Sequence, residues 1–266
     1  MEIETAINQL KIEGQKIEIG ENDYDFVEES PNVFEFTLTI TQDYKQKLLA
    51  GKFQVKKIIF ANNGHPQIFL QTKVNKNKDF QKVADLNFSK KKQLYLANFY
   101  ISSSNPDLLV VVFNYSISDF EFKFSEFFFQ YVDSSLLESV VVLDTINQEY
   151  IISSKKATQL KSAALSKFTT SHSQSNSLFP QIEQIPVGNR FYDITADIMT
   201  HLELSGIRGE VLLLTPVEQQ YVFKDIQVFE VISSLYPQLS QEIVPQDARP
   251  LIQKLNEILY NSGMFM

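Results

Sequence analysis

Immediately ahead of Pro216 stand Val211-Leu212-Leu213-Leu214-Thr215, a run that is apolar on both faces and too short for a stable helix. Such a run reads as a strand buried between two layers of helices. Its flanks agree with that reading. Phe191, Ile194, Ile198 and Leu202 recur at three- and four-residue steps, giving a helix one apolar face, and Ser205-Gly206 stops it. Val222, Ile226, Phe229 and Ile232 step along a second helix that runs to Pro237. Helix, buried strand, helix is the repeating unit of an α/β sandwich.

The remaining segments extend that plan. Phe34, Phe36, Leu38 and Ile40 alternate with polar residues as in a half-exposed strand, and Tyr44–Leu49 reads as a short helix before Gly51. Val55–Ala61 is a buried strand running into the turn Asn62-Asn63-Gly64-His65-Pro66, after which Ile68 and Phe69 begin a helix. Leu94–Ile101 and Leu108–Phe113 flank the turn 102–106 and read as a hairpin. Ser118-Asp119 caps a helix carrying Phe120, Phe124, Phe127, Phe128 and Tyr131; Val140–Leu143 is a further buried strand, and Lys155–Phe168 reads as a helix. Pro250 opens a last helix with Leu251, Leu255, Ile258 and Leu259 on one face. The fold class expected is a three-layer α/β sandwich: a mainly parallel sheet plus an antiparallel hairpin, with helices on both faces. Residues 1–50 are expected to form an extension with an edge strand, and 51–260 one α/β domain. Within it, the polar segment 169–177 is expected to be a mobile loop with nothing to bury.

Charge narrows the partners. The 266 residues carry a net charge of −8, which repels phosphate backbones and argues against nucleic acid. Lys73, Lys76, Lys78, Lys82 and Lys90–Lys92 form a local exception, read as a solvated loop in preference to a docking patch. No apolar run approaches the roughly 20 residues needed to cross a bilayer, so no membrane partner is expected. The start Met1-Glu2-Ile3-Glu4 lacks a basic-then-apolar profile, which points to the cytoplasm or the nucleus. The absence of cysteine removes disulfides, thiolate metal sites and cysteine nucleophiles.

Ligand sites of α/β sandwiches form beyond the carboxyl ends of the strands, here at Asn62, Asn63, Gly64, His65, Asp144, Thr145, Thr215 and Pro216. These residues make no recognisable catalytic set. Phosphate-binding glycine motifs are missing, as are a nucleophile elbow and a metal-ligand spacing, so no catalytic residue, cofactor or metal is expected. His172 reads as solvated and His201 as a helix-rim residue. His65 beside Asp144 is the one pair able to act as a base and its orienter; it supports the alternative of an enzyme acting on a nucleoside or other small molecule.

The order of segments over residues 55–266 resembles the proteasome assembly chaperone 1 family, the partner of proteasome assembly chaperone 2. Four stretches carry the likeness: Lys56–Asn63; Ser104-Asn105-Pro106 with Leu108–Phe113; 169–177 with Leu178-Phe179-Pro180 and Ile182-Glu183-Gln184; and the helix 191–204 with the strand 211–215. The first 50 residues show no match. The resemblance implies a non-enzymatic chaperone that pairs with a proteasome assembly chaperone 2-like subunit and sits on the α subunits of the 20S core particle. The family ends in a hydrophobic residue, a tyrosine and any residue, a tail inserted between α subunits. Residues 261–266 correspond to that tail, with Gly263 as hinge and Met264-Phe265-Met266 as the inserted residues, phenylalanine replacing tyrosine. Burying the ring is worth about 1.5–3 kcal/mol and the lost phenol hydrogen bond about 0.5–1.5 kcal/mol, so docking is expected to weaken and persist.

Overall fold

The computed structural model describes residues 35–89, 93–115, 123–147, 162–186, 189, 193–217 and 220–261. Their strands are β1 (Glu35–Ile40), β2 (Lys57–Ala61), β3 (Phe80–Ser89), β4 (Gln93–Ser102), β5 (Leu108–Phe113), β6 (Ser139–Thr145), β7 (Ala164–Thr169) and β8 (Gly209–Thr215). All eight join one sheet in the order β1-β3-β4-β5-β2-β6-β8-β7. Its centre is parallel: β5, β2, β6 and β8 run side by side in one direction. Those four strands are buried almost end to end, which is why they read as unbroken apolar runs. Antiparallel strands finish both sides, β4, β3 and β1 on one and β7 on the other, so the antiparallel part is larger than the expected hairpin.

Helices cover both faces. Ile58 and Phe60 of β2 project into one core with α3 (Phe124–Phe129) and α4 (Asp193–Leu204). Phe124 and Phe128 pack there against Phe60 and Phe113, with ring centroids 5.1–6.0 Å apart. Ile59 and Ala61 project into the opposite core, closed by α2 (His65–Lys76), α5 (Phe223–Ile226), the 3-10 turns Gln227–Ser234 and Pro237–Leu239, and α6 (Pro245–Asn261). Gly209 begins β8 where α4 crosses it; a Cβ there would lie 2.7 Å from Leu202 Cδ1, so a side chain would oblige Leu202 to shift. The short α1 (Gln42–Lys45) follows β1, whose Phe36, Leu38 and Ile40 alternate inward as expected.

Several elements differ from expectation. The lysine-rich stretch is only in part the expected solvated loop: Lys78 and Lys82 are exposed, and Lys90–Lys92 lie outside the described residues. Lys73 is buried in α2, Lys76 pairs with Asp247, and residues 80–89 form β3, with Ala84, Leu86 and Phe88 inward at every second position. The helix expected over 155–168 is replaced at its end by β7; the earlier part lies outside the described residues. The four-residue steps of Leu160, Ala164 and Phe168 imitate a helix, whereas hydrogen bonding to β8 fixes Leu165 and Phe168 on opposite faces. Past Ile226 the second flanking helix tightens into a 3-10 turn. The last helix begins at Pro245, not Pro250, which sits inside it. Its Ile258 is exposed, as is Tyr260.

The segment 169–177 does have groups to bury. Thr169, Thr170 and Ser173 are buried, and Ser171–Ser173 forms a 3-10 turn. Gly209 N donates to Thr170 Oγ1 over 3.0 Å, and Ser177 Oγ donates to the buried Glu210 Oε2 over 3.0 Å. The helix start expected at Ser118-Asp119, and residues Phe120 and Phe191, fall outside the described residues.

Candidate functional site

Strand alternation decides what gathers at the carboxyl ends of β2 and β6. Side chains of successive strand residues point to opposite faces. Asn62 continues the Ile58–Phe60 side and Asp144 the Val140–Val142 side, so both meet α4. Thr195, in the first turn of α4 and buried, receives them: its hydroxyl donates to Asp144 Oδ2 over 2.6 Å and accepts from Asn62 Nδ2 over 2.7 Å. The Thr145 amide donates to Asp144 Oδ1 over 2.7 Å, and the Asn62 amide to the Leu143 carbonyl over 3.0 Å. Desolvation pushes the Asp144 carboxyl up, against the lowering effect of the Thr195 hydroxyl, the Thr145 amide and Asn62.

On the other face Thr145 continues the Val141–Leu143 side, toward α2. Gly64 joins β2 to α2 with φ +97°, a conformation that L side chains rarely adopt, and a Cβ would lie 3.2 Å from Tyr221 Cε1. His65 opens α2 at 2 % exposure, with the Tyr221 ring edge-on at 4.8 Å. Burial pushes its imidazole down to about 4, so it is neutral at physiological pH. Two bonds fasten Tyr221 to α6: its amide donates to Asn256 Oδ1 over 2.9 Å, and Asn256 Nδ2 donates to its carbonyl over 3.0 Å.

Histidine and aspartate therefore lie on opposite faces of the sheet and do not form a pair. Neither ring nitrogen of His65 has a hydrogen-bond partner, and the Asp144 carboxylate is bonded to α4 and its own strand. The base-and-orienter arrangement of the enzyme alternative is not made. Thr215 is buried at the end of β8, where it pairs with Ala164, and Pro216 is half-buried. His172 is exposed in the 3-10 turn as expected, while His201 lies flat on Phe129 with ring centroids 4.2 Å apart. Gly263, Met264, Phe265 and Met266 lie outside the described residues. Thr195, Tyr221 and Asn256 were not anticipated. Only Thr195 left a sequence signal, a polar residue beside Ile194 on an otherwise apolar helix face.

Among the described residues no group of three or more His, Asp or Glu side chains could hold a metal ion, and no helix is long and apolar enough to cross a membrane. No protein-family model matches the chain, and no curated protein matches it. Solved structures do. A protein of unknown function from Thermoplasma acidophilum superposes with a TM-score of 0.62 at 11 % identity, covering 84 % of this chain and 96 % of that one. Pyrococcus furiosus PbaA, an archaeal homolog of proteasome-assembly chaperone, gives 0.58 at 11 % identity over 85 % and 95 %. Pyrococcus furiosus PbaB, an archaeal proteasome activator, gives 0.55 at 14 % identity over 86 % and 98 %. At such identities the shared property is the fold, and it is shared along about 85 % of this chain and 95 % or more of each of those.

Proposed function

We propose that this protein is a proteasome assembly chaperone subunit that works by binding alone. The observation that carries the reading is the fold held in common with PbaA and PbaB over about 85 % of the chain. The chemistry at the strand ends supports it, because the two groups best suited to acid–base work there are not coupled to each other. In this reading the chain pairs with a proteasome assembly chaperone 2-like subunit and sits on the α-ring of the 20S core particle. Met264-Phe265-Met266 is the docking tail, Gly263 its hinge, and the phenylalanine ring supplies most of the tail's binding energy.

Affinity purification of the chain, tagged at residue 1, followed by mass spectrometry tests the reading. Recovery of proteasome α subunits together with one second chaperone-like chain is the expected outcome. Recovery of neither, from cells that are assembling proteasomes, would refute it.

A further inference from the structure

The sheet ends at β7, which has β8 on one side only. Successive strand residues turn their N–H and C=O groups alternately to the two sides. Thr170 N donates to the Gly209 carbonyl, so Lys167 and Thr169 turn theirs outward, away from β8. At Lys167 the chain fills that edge itself. The Lys167 amide donates to the Glu183 carbonyl over 2.9 Å, and the Ile185 amide donates to the Lys167 carbonyl over 2.7 Å. Ile185 thereby buries its side chain in the core that α4 covers. The bridge is isolated and does not continue to Thr169. Past it, a groove of about 730 Å³ lies between the edge of β7 and α4, within the roughly 300–1,000 Å³ of ligand clefts. Phe168, Ile185 and Pro186 line it from one side and Ala196, Met199 and Leu204 from the helix, with Leu204 83 % exposed.

We propose that this groove binds an extended apolar segment of another protein that carries a lysine or arginine. The segment's backbone adds to β7 at Thr169, one large apolar side chain fills the space between Phe168 and Met199, and the cation meets Glu203. The edge itself shows what it accepts, since residues 183–185 already lie along it as extended chain with an apolar side chain turned inward. Charge sets the sign of the partner. Glu203 is the one charged side chain among the residues lining the groove. The Ser171 amide donates to its Oε2 over 2.8 Å and the Ser171 hydroxyl to its Oε1, bonds that hold the carboxyl below its usual range and leave each oxygen a further lone pair. Glu203 also stands in the last turn of α4, where the helix carbonyls add negative potential. A cation is favoured on both counts. The chain's own Met264-Phe265-Met266 has apolar side chains but offers no cation, and its free carboxylate is of the wrong sign.

Fluorescence anisotropy on the full chain tests the groove. The labelled probes are the peptide Thr-Leu-Thr-Leu-Lys-Lys as its amide, the counterpart ending in two glutamates, the lysine peptide methylated at every backbone nitrogen, and the tail sequence Gly-Met-Phe-Met. The expected result at low salt is a Kd of about 100 μM or tighter for the lysine peptide, with the glutamate and methylated peptides each about tenfold weaker. Thr200→Trp sets a ring into the groove from an exposed position of α4; with melting unchanged, it should weaken the lysine peptide about tenfold or more. Glu203→Gln should shrink the preference for lysine over glutamate about fivefold. Lys254→Ala, on the opposite helix layer, should change nothing. Absence of binding at about 1 mM overturns the inference, as do equal binding of the methylated peptide and a preference for the tail sequence. Binding indifferent to both Thr200→Trp and Glu203→Gln overturns it as well. Docking on the α-ring is measured through residues 264–266 and stands or falls separately.

Discussion

Lys73 Nζ lies 2.6 Å from Glu230 Oε2 and 2.8 Å from the Gln241 carbonyl oxygen, so a cation at 1 % exposure ties α2 to segments more than 150 residues later in the chain. The Ser233 hydroxyl completes the arrangement by donating to Glu230 Oε2 over 2.9 Å. Next to it, Lys76 pairs with Asp247 and donates to the Glu242 carbonyl, and Asn77 donates to the Gln238 carbonyl. The C-terminal turn of α2 thus holds the layer that closes the second core.

The two partners of the Lys73 pair should respond unequally to removal. Glu230 is about one-third exposed and can turn to water when its partner goes, whereas Lys73 has no such route. Glu230→Gln is expected to cost about 3 kcal/mol because it leaves a buried ammonium without its counter-charge, and Lys73→Met only about 1 kcal/mol. Urea unfolding of both variants checks this; equal losses, or a larger loss for Lys73→Met, would count against a buried, charged lysine.

Acid should expose His65. The folded protein keeps the ring neutral down to about pH 4, while the unfolded chain takes up the proton near pH 6.5. Protonation across that window favours the unfolded state, so stability should fall as pH drops from 6.5 to 4, by up to about 3 kcal/mol. Asp144 acts in the opposite sense: its folded carboxyl is raised, so the folded state takes up that proton first and is stabilised as it does. Comparing denaturation of the native chain with His65→Leu across the window isolates the histidine. The difference between them should shift toward the variant as pH falls; parallel curves would mean that His65 does not titrate as a buried ring.

Glu210 anchors the polar segment after β7. Fully buried at the start of β8, it accepts from the Ser177 hydroxyl and the Leu178 amide, while Lys167 Nζ donates to Ser177 Oγ and to the Phe179 carbonyl, each over 2.7 Å. Glu210→Ala is expected to free these groups and cost about 2 kcal/mol locally. Hydrogen exchange at Leu178 and Phe179 should accelerate about tenfold or more, and unchanged protection there would show that the segment is held by other means.

What the sequence disclosed followed from local chemistry. The strands β2, β5, β6 and β8 were legible because burial on both faces demands apolar residues throughout, as in Leu108–Phe113, and β1 because half-burial leaves a period of two. Features set by partners distant in sequence were not. Nothing near Lys73 announces Glu230, so a lysine that ends in a buried pair looks the same as a solvated one. The strand β7 is a partner effect as well, since Lys167 and Thr169 gain their burial from β8 and from residues 177–184. At the candidate site the residue types and their position at the strand ends were readable. Their wiring was not, because Asp144 was equally free to orient His65 or to bond Thr195, and only the packing of α4 decides between them.

The most direct measurement is the affinity of the purified chain for isolated 20S core particles, with and without Met264–Met266. Burial of one phenylalanine ring is worth about 1.5–3 kcal/mol, so removing the three residues should weaken association roughly 10- to 100-fold. Pairing with the second chaperone subunit should be untouched. Equal affinity with and without the tail would contradict tail docking, and no detectable association of the full chain would contradict the chaperone reading itself.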